Sequence, residues 1–288
     1  MSINRRPLSI HIWGGYGSQL YALALAHDIR QRFKFFNILL EFHSSGVTRR
    51  LPDFDLNLID FQSVLIDDFT KLSSGANFSF FKPQIGSISR NLIKSVFNRT
   101  GIVCKCNSDL EFKSIGRFTK QIRGHYSWRS IKLETLDSIY KMLYISMESR
   151  FKDSIDLAVH VRLGDLIYLD DKSPTDAFRF LSIIQNLIDS KEVKSVTIFS
   201  DSPKEAKDII LTSLQSSDHC QIVFPDVNIY EAVFAMIWAP YFIGTSSKIT
   251  EWATLFRELN RNKRKTWVPK ELEEFSVRNN ISNIILYN

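Results

Sequence analysis

Three short segments of this chain combine basic, acidic and hydroxyl side chains in patterns that suit a phosphorylated ligand. The first is segment 160–165, with the sequence His-Val-Arg-Leu-Gly-Asp. Alternation along a strand would place His160 and Arg162 on the same face, and Gly164 would let the backbone turn sharply after them. An arginine guanidinium at such a place can make two parallel hydrogen bonds to a diphosphate. The alternative is an ion pair between Arg162 and Asp165 that only stabilises the turn.

The second segment, 199–202, has the sequence Phe-Ser-Asp-Ser and ends an apolar run. The Asp201 carboxylate, with Ser200 beside it, could accept hydrogen bonds from the N–H and amino groups of guanine. The alternative is helix capping, because Asp201 and Ser202 are both residue types that favour the N-cap position.

The third segment, 244–252, reads Gly-Thr-Ser-Ser-Lys-Ile-Thr-Glu-Trp. It places Thr245, Ser246, Ser247 and a lysine at the start of a predicted helix. Backbone N–H groups and the helix dipole favour an anion there, although a simple capping arrangement would use the same residues. All three segments follow predicted strands, and ligands of open α/β sheets bind at the carboxyl ends of strands.

A glycine-rich turn near the front of the chain is a weaker signal. Gly14, Gly15 and Gly17 belong to segment 14–19, Gly-Gly-Tyr-Gly-Ser-Gln, which lacks the last glycine of the dinucleotide-binding pattern. The turn shows only that the backbone can approach a ligand closely. A Rossmann oxidoreductase stays open as an alternative, because Glu41 lies at about the right separation for a ribose contact.

Strands and helices alternate along the predicted chain. In the first half, strands at 8–13 and 35–42 flank a helix at 19–33, whose apolar face would be formed by Leu20, Leu23, Ala24 and His27. The second half continues the pattern, with strands at 155–161, 193–199, 220–224 and 241–243 and helices at 175–189, 203–214, 229–238 and 247–259. This alternation predicts an α/β fold with parallel sheets covered by helices.

A polar stretch at 148–154 divides the chain into two predicted domains, 1–150 and 151–288. A length of 288 residues fits two domains of ordinary size. Between the front strands and the polar stretch, the pattern predicts only a strand at 102–104 and a helix at 131–147. We also consider that the last residues of the chain pack back on the first domain.

The charge composition limits the classes of ligand that the protein is expected to bind. The net charge of +6 suits a nucleotide diphosphate or an anionic membrane surface. The densest basic cluster, 261–265, is either a solvated helix end or a contact with anionic lipid. Nucleic-acid binding would require basic and aromatic residues interleaved on one face, and no such pattern occurs.

Cysteine content and the apolar runs indicate a cytoplasmic protein. The three cysteines, Cys104, Cys106 and Cys220, make an odd count. The first residues lack the apolar core of a signal peptide. The longest apolar run, 232–244, is too short to span a bilayer. The cysteines are interpreted as ordinary apolar residues with reduced thiols. We expect no metal site, since segment 53–55, Asp-Phe-Asp, follows a proline in a polar stretch and matches a three-residue metal pattern that arises often by chance.

Together these segments resemble the family-11 glycosyltransferases, which are inverting α-1,2-fucosyltransferases that use GDP-fucose. The family pattern is Gly-Gly-x-Gly-Asn-Gln, then His-x-Arg-Arg-Gly-Asp, Phe-Ser-Asp-Asp and a Ser-Ser-rich segment with Trp, and the resemblance runs from Gly14 to about Trp252. Segment 124–128, Gly-His-Tyr-Ser-Trp, also looks like the family's Gly-Tyr-x-Gln-Ser. The chain departs from the pattern at Ser18, Leu163, Ser202 and 248–251. These departures leave open the transfer of another GDP-deoxyhexose in O-antigen synthesis. A non-catalytic nucleotide- or carbohydrate-binding protein on the same fold is an alternative of a different class, which the presence of Arg162 disfavours.

The resemblance implies a GT-B fold, in which two Rossmann-like domains face a central cleft. The first domain would hold the acceptor and bring Gly14–Gly17 to the donor, and the second would bind the GDP-sugar. Arg162 would bind the β-phosphate, Asp201 the guanine, and the hydroxyl-rich segment after Gly244 the phosphates. The general base stays open among His160, Asp165 and an acidic residue of the first domain, and the alternative role of His160 is to orient Asp165 or Arg162.

The resemblance also implies the other partners. The donor, GDP-fucose, is the only nucleotide required, so neither a cofactor nor a metal is expected. The acceptor would be galactose O2 of a bacterial surface oligosaccharide, as in lipopolysaccharide, carried on a lipid at the inner face of the cytoplasmic membrane.

Overall fold

The chain forms two compact units, Met1–Leu143 and Tyr144–Asn288. The computed structural model describes residues 6–43, 52–53, 55–66, 96, 99–145, 155–163, 179–215, 218–259 and 265–288. The basic cluster apart from Lys265 and the polar stretch at 148–154 lie outside these ranges. Within them, no helix has both the length and the apolar composition needed to cross a bilayer.

The first unit is built on a five-stranded parallel sheet. Its strands are β1 (Arg6–Ile12), β2 (Phe36–His43), β3 (Gln62–Ile66), β4 (Val103–Lys105) and β5 (Gln121–Arg123), in the order β3-β2-β1-β5-β4. The helices are α1 (Tyr16–Arg32), α2 (Asp109–Lys113) and α3 (Leu133–Tyr144), and a 3-10 turn covers Leu56–Leu58. The last residue of α3, Tyr144, belongs to the second unit, and its ring stacks on Tyr230 of that unit at 5.0 Å.

Helix α1 differs from its prediction in both its start and its burial. It begins at Tyr16, directly after the glycine turn, rather than at Gln19. Its buried residues occupy nearly every direction around the axis and include Ala22 and Ala26 as well as Leu20, Leu23 and Ala24 of the predicted face, whereas His27 is only half-buried. Small alanine side chains let neighbouring elements approach such a helix closely, so α1 is a central helix rather than an amphipathic surface helix.

The second unit is built on a six-stranded parallel sheet. Its strands are β6 (Leu157–Val161), β7 (Ser195–Ser200), β8 (Gln221–Val223), β9 (Tyr241–Gly244), β10 (Lys265–Pro269) and β11 (Ile285–Tyr287), in the order β11-β10-β9-β6-β7-β8. The helices are α4 (Leu181–Asp189), α5 (Pro203–Ser213), α6 (Ile229–Trp238), α7 (Lys248–Leu259) and α8 (Glu273–Arg278), with a 3-10 turn at Lys270–Leu272. The last residues of the chain pair within this sheet, through β11 and β10.

This strand order is the doubly wound order of Rossmann folds. From the central strand β6 the chain adds β7 and β8 on one side, then returns to β9 and adds β10 and β11 on the other. Apolar side chains from the strands and helices close the core, among them Val159, Phe180, Ile184, Ile198 and Ile210. The predicted α/β fold with two Rossmann-like parallel sheets is confirmed.

A buried arginine joins the elements on the β9 side of this sheet. Arg257 donates hydrogen bonds to the backbone oxygens of Met236 and Ala239, at 2.7 and 2.6 Å, and to Thr266 Oγ1 at 2.8 Å. The last carbonyls of a helix have no partner within the helix. Arg257 therefore satisfies the end of α6 and fixes β9 against β10.

Candidate functional site

The carboxyl edge of the second sheet contains a topological switch point. Strands β6 and β9 are neighbours, but the chain leaves them toward opposite sides of the sheet. Such a reversal opens a crevice outside the strand ends, where ligands of open α/β sheets bind. The predicted segments follow β6, β7 and β9, so the fold brings Arg162, Asp201 and the run Thr245–Ser247 to this one edge.

Hydrogen bonds between the two central loops fix their relative positions. The Thr245 amide donates to the His160 carbonyl at 3.1 Å, and the Arg162 amide donates to Thr245 Oγ1 at 2.9 Å. Thr245 is buried, whereas Ser246 is exposed. The hydroxyl of Thr245 therefore supports the backbone at Arg162, and Ser246 is the residue of this run that lies open to a ligand.

Asp201 holds the Arg162 side chain. Its Oδ1 accepts a hydrogen bond from the Leu163 amide at 2.8 Å, and its Oδ2 lies 3.3 Å from Arg162 Nε. The side chains of Arg162 and Asp201 are 40% and 34% exposed, so solvent screens the attraction and its main effect is on orientation. Arg162 thus pairs with Asp201, while Gly164 and Asp165, the partner considered from sequence, lie outside the described residues.

The capping interpretation of the second segment is wrong for Ser202. This residue occupies the N-cap position of α5, but its side chain makes no capping hydrogen bond. Instead, its amide donates to Ser200 Oγ at 3.1 Å. Ser200 and Asp201 are therefore residues of the strand end and its turn, on the edge that carries Arg162.

His160 lies beneath the switch point, with 4% of its surface exposed. Its Nδ1 is 3.1 Å from Thr250 Oγ1 and 3.3 Å from Ser247 Oγ, and Ser247 Oγ accepts from the Thr250 amide at 3.1 Å. Ser247 thus caps α7, as the alternative interpretation of the third segment expected. Burial lowers the pKa of His160 to about 4, with Asp201 opposing and Arg162 reinforcing this shift, so the imidazole is neutral at neutral pH.

Lys248 adds a second cation at the same edge. It is the first residue of α7. Its pKa is lower than that of an ordinary lysine, mainly because of burial; Glu251 opposes this shift and Arg162 adds to it. The Arg162 effect shows that the two cations lie close enough to repel each other. A 12-residue helix also directs the positive end of its dipole and its first N–H groups to this place. The edge therefore combines two cations, each with a carboxylate nearby, and the start of a helix, which are groups that a phosphorylated ligand could use.

The second unit also supports this edge with residues that no motif indicated. The Tyr287 hydroxyl, in the last strand, donates to the Gly244 carbonyl at 2.7 Å. Gly244 packs directly against Thr250, the partner of His160. A tyrosine three dozen residues downstream of the motif, in a strand of three residues, gives no local signal of this role.

The glycine turn of the first unit follows β1. Gly14 has φ of +80°, in the region that favours glycine, and Gly15 is the N-cap of α1. Gln19 Nε2 donates to the Gly14 carbonyl at 3.2 Å and to Asp53 Oδ2 at 3.1 Å. Gly17 lies inside the first turn of α1. The turn is thus a tight strand-to-helix connection closed by Gln19.

The acidic residues of segment 53–55 have structural partners. Asp53 is bound by Gln19, and Asp55 Oδ1 accepts from the Asn57 amide at 2.9 Å, at the start of the 3-10 turn. Among the described residues, no group of three or more His, Cys, Asp or Glu side chains could hold a metal ion. Cys104 and Cys106 are buried free thiols, and burial raises the pKa of Cys106 to about 12.

Glu41, the residue behind the oxidoreductase alternative, lies within β2 and faces β1. Its Oε2 is 3.2 Å from Nδ1 of the buried His11, its neighbour in the strand register. A ribose contact would need a carboxylate at the end of the strand. The position of Glu41 inside the sheet therefore counts against that alternative.

We expect acid to weaken the contribution of His160 to stability. Between pH 6.5 and about 4 the unfolded chain binds a proton at His160 that the folded protein does not, so the free energy of unfolding falls as the pH falls. The shift corresponds to about 3 kcal/mol. In His160→Asn, whose amide can replace Nδ1, this loss is absent. In denaturant titrations, the difference in the free energy of unfolding between wild type and variant should become smaller as the pH falls through that range. A difference that does not change with pH would contradict the assignment of His160 as a buried, neutral imidazole.

Comparison with known proteins gives structural likeness only. No protein-family model and no curated protein sequence matches the chain. POFUT1 in complex with GDP-fucose is 13% identical with a TM-score of 0.49, over 93% of this chain and 98% of its own. A mutant of Arabidopsis thaliana FUT1 with GDP is 10% identical with a TM-score of 0.45, over 92% and 70%. The E. coli heptosyltransferase WaaC with ADP is 10% identical with a TM-score of 0.46, over 98% and 93%. These scores are too low to assign a function to this chain.

Proposed function

We propose that this protein is an inverting, GDP-sugar-dependent glycosyltransferase that moves L-fucose from GDP-β-L-fucose to a hydroxyl of an oligosaccharide, with galactose O2 as the acceptor atom. The observation that carries the proposal is the meeting of Arg162, Ser246 and the start of α7 at the switch point of the second sheet. The motif order of the sequence agrees with it. Loss of Arg162 would have favoured the alternative of a non-catalytic binding protein, and its presence at this edge disfavours that alternative.

In this proposal the leaving diphosphate receives most of the catalytic assistance. When the bond between fucose C1 and the β-phosphate oxygen breaks, that oxygen keeps the electron pair and gains negative charge. Arg162 donates hydrogen bonds to this phosphate, and Lys248 and the first N–H groups of α7 add positive potential. Donors already in place stabilise the developing charge without reorganisation, which is often the largest catalytic effect. These groups supply the positive charge that a divalent metal provides elsewhere, so we propose a metal-independent reaction.

His160 has a positioning role in this scheme. It is buried and its Nδ1 contacts the hydroxyls of Ser247 and Thr250, so it holds the β6 and α7 ends together. A general base must reach the proton it removes, and a buried ring bonded within the sheet edge is poorly placed for that. We therefore propose that an acidic residue, either Asp165 or one from the first unit, accepts the proton of the acceptor hydroxyl as it attacks C1 from the face opposite to GDP.

The remaining assignments follow from the resemblance. Ser200 and Asp201 would contact the guanine, Gly164 would allow the diphosphate to approach the backbone, and Gly14, Gly15 and Gly17 would approach the donor from the other domain. The acceptor would be a lipid-linked precursor of O-antigen or lipopolysaccharide. We place the protein in the cytoplasm, at the inner face of the membrane that carries such an acceptor.

A donor screen tests the proposed class. The protein in EDTA would be given GDP-fucose, other GDP-deoxyhexoses, ADP-heptose and a UDP-hexose, each with and without an oligosaccharide that ends in galactose, and nucleoside diphosphate release would be measured. We expect acceptor-stimulated release of GDP from GDP-fucose. Faster release from another GDP-deoxyhexose would change the sugar but keep the class. Preferred release of ADP or UDP, or a requirement for a metal, would contradict the proposal.

A further inference from the structure

The carboxyl edge of the first sheet carries an exposed indole. Trp128 follows β5 and is 56% exposed, although large aromatic side chains are usually well buried. Its close neighbours in sequence, Tyr126 and Arg129, are each 2% exposed. The indole is therefore displayed by a segment that is anchored on both sides of it.

Strand register places Trp128 in a row with two other rings. Ile10 of β1 pairs with Ile122 of β5, and Trp13 and His125 each follow their paired residue by three positions, just beyond the two strands. On the other side of β5, an isolated bridge joins Ser108 to Trp128. Trp13 follows β1, and His125 and Trp128 both follow β5, with Trp128 bridged to the segment after β4; we call these three residues the aromatic edge. His125 and Trp128 are exposed, and Trp13 is half-buried.

The backbone of this row is held in a strained conformation. Gly124 has φ of +142°, and a Cβ there would lie 2.5 Å from both the Cys106 carbonyl and Asn107 Oδ1. Tyr126 has φ of +59°, and its hydroxyl donates to the His11 carbonyl at 2.6 Å. Glycine adopts a positive φ without strain, so the strain lies at Tyr126, where it costs about 1–3 kcal/mol and is of the kind found at ligand-binding sites that the surrounding structure over-determines.

Hydrogen bonds to one asparagine complete the anchoring. The His125 amide donates to Asn107 Oδ1 at 2.8 Å, and the Trp128 amide donates to the Asn107 carbonyl at 2.9 Å. Below the row, the buried guanidinium of Arg129 forms an ion pair with Asp28 of α1, which also accepts from Thr135 at 2.5 Å. The indole is thus presented on a rigid base, which lowers the entropy cost of binding a ligand.

We infer that the aromatic edge binds a pyranose ring of the saccharide acceptor, with the Trp128 indole against the C–H face of the sugar and His125 as a hydrogen-bond partner for its hydroxyls. This inference rests on the proposed function, since a transferase of this class needs a saccharide site besides its donor site. Of the three rings, the exposed Trp128 indole and the exposed His125 imidazole match one sugar, which has one apolar face and a polar rim. Leu110, beyond the Ser108 bridge, is 79% exposed, so an anionic lipid surface is the competing occupant.

The test compares Trp128→Ala and Trp128→Phe with Phe118→Ala, which removes another exposed aromatic ring of the same unit. With saturating GDP-fucose, we expect the KM for a galactose-terminated oligosaccharide to rise at least tenfold in Trp128→Ala and less in Trp128→Phe. Phe118→Ala should behave as wild type. The Kd for GDP, measured in parallel, should stay within about twofold in all variants, because the donor edge lies in the other sheet. An unchanged KM in Trp128→Ala would overturn the inference.

A second measurement needs no donor. Titration with lactose and N-acetyllactosamine, followed by the indole N–H signals in NMR spectra of wild type, should shift the signal that Trp128→Ala removes. A missing shift in a protein that binds GDP would overturn the inference and leave the proposed function standing. A shift without GDP binding would support the saccharide site and contradict the assignment of the GDP-sugar site to the second unit. Loss of phosphatidylglycerol-vesicle binding in Trp128→Ala, with an unchanged KM, would assign the edge to lipid and overturn the saccharide inference.

Discussion

Replacing Gly244 with alanine is expected to destabilise the second unit strongly and to disrupt the proposed phosphate site with it. An added Cβ would lie 2.2 Å from Thr250 Cγ2, 2.7 Å from Thr250 Oγ1 and 3.0 Å from Phe242 Cζ. Thr250 is fully buried, so it cannot move aside without disturbing α7. Overpacking and the loss of the His160–Thr250 hydrogen bond together should cost about 3 kcal/mol.

The expected loss has a matched control and a second readout. Gly116→Ala adds the same methyl group where the nearest atom, the Ser114 carbonyl oxygen, would lie 3.9 Å away, so stability should be unchanged or slightly higher. Denaturant titration of both variants measures the difference. Because Thr250 and His160 hold the start of α7, GDP affinity should fall in Gly244→Ala at temperatures where it remains folded. Equal stability of the two variants would show that the β9–α7 junction is not packed as described.

Loss of Arg162 is expected to have the largest effect on turnover. Arg162→Ala should lower kcat by about a hundred- to a thousandfold, the usual effect of removing one preorganised donor to a developing negative charge. Arg162→Lys keeps the charge but loses the planar fork, so it should recover only part of this loss. Rates of GDP release from the preferred donor, at saturating acceptor, measure both variants.

Arg179→Ala is the matched control for this loss. Arg179 also belongs to the second unit and also pairs with a carboxylate, Glu271, at 2.6 Å on an exposed surface. Exposed ion pairs contribute about 0–1 kcal/mol, so stability and turnover should both be close to wild type. A comparable loss of turnover in Arg179→Ala would show that general charge, rather than the place of Arg162, supports the reaction.

The sequence predicted the site edge because local signals marked the strand ends. Each of β6, β7 and β9 is a short apolar run that stops at a polar or small residue, and parallel strands bring such stops to one edge. The pairing of Arg162 was not predictable in this way. Its contact with Asp201 depends on β7 being the neighbour of β6, and long-range packing decides that order.

Short strands with weak patterns escaped prediction. Strand β5, Gln121–Arg123, has one apolar residue among three and exists because it pairs with both β1 and β4. Strand β10 begins at Lys265, the last residue of the basic cluster, which the sequence left open as a solvated helix end. Its buried Thr266 accepts a hydrogen bond from Arg257. These elements depend on tertiary partners, which composition and periodicity do not show.

The burial of His160 is a further feature that spacing could not supply. Its separation from Arg162 by two residues predicted a shared face, and a titratable group at a strand end suggested a base. The structure adds that Ser247 and Thr250 close over its Nδ1, and these residues lie some ninety positions away in sequence. The change from candidate base to positioning residue therefore follows from tertiary contacts alone.

A calorimetric titration of GDP into wild type and Arg162→Ala, in EDTA and with NADH as the competing ligand, tests the central claim most directly. We predict micromolar GDP binding by wild type, a loss of about 1.5–3 kcal/mol in the variant, as for a hydrogen bond to a charged group, and no heat with NADH. No binding of GDP, equal binding by both proteins, or a preference for NADH would contradict the assignment of the switch point as the diphosphate site.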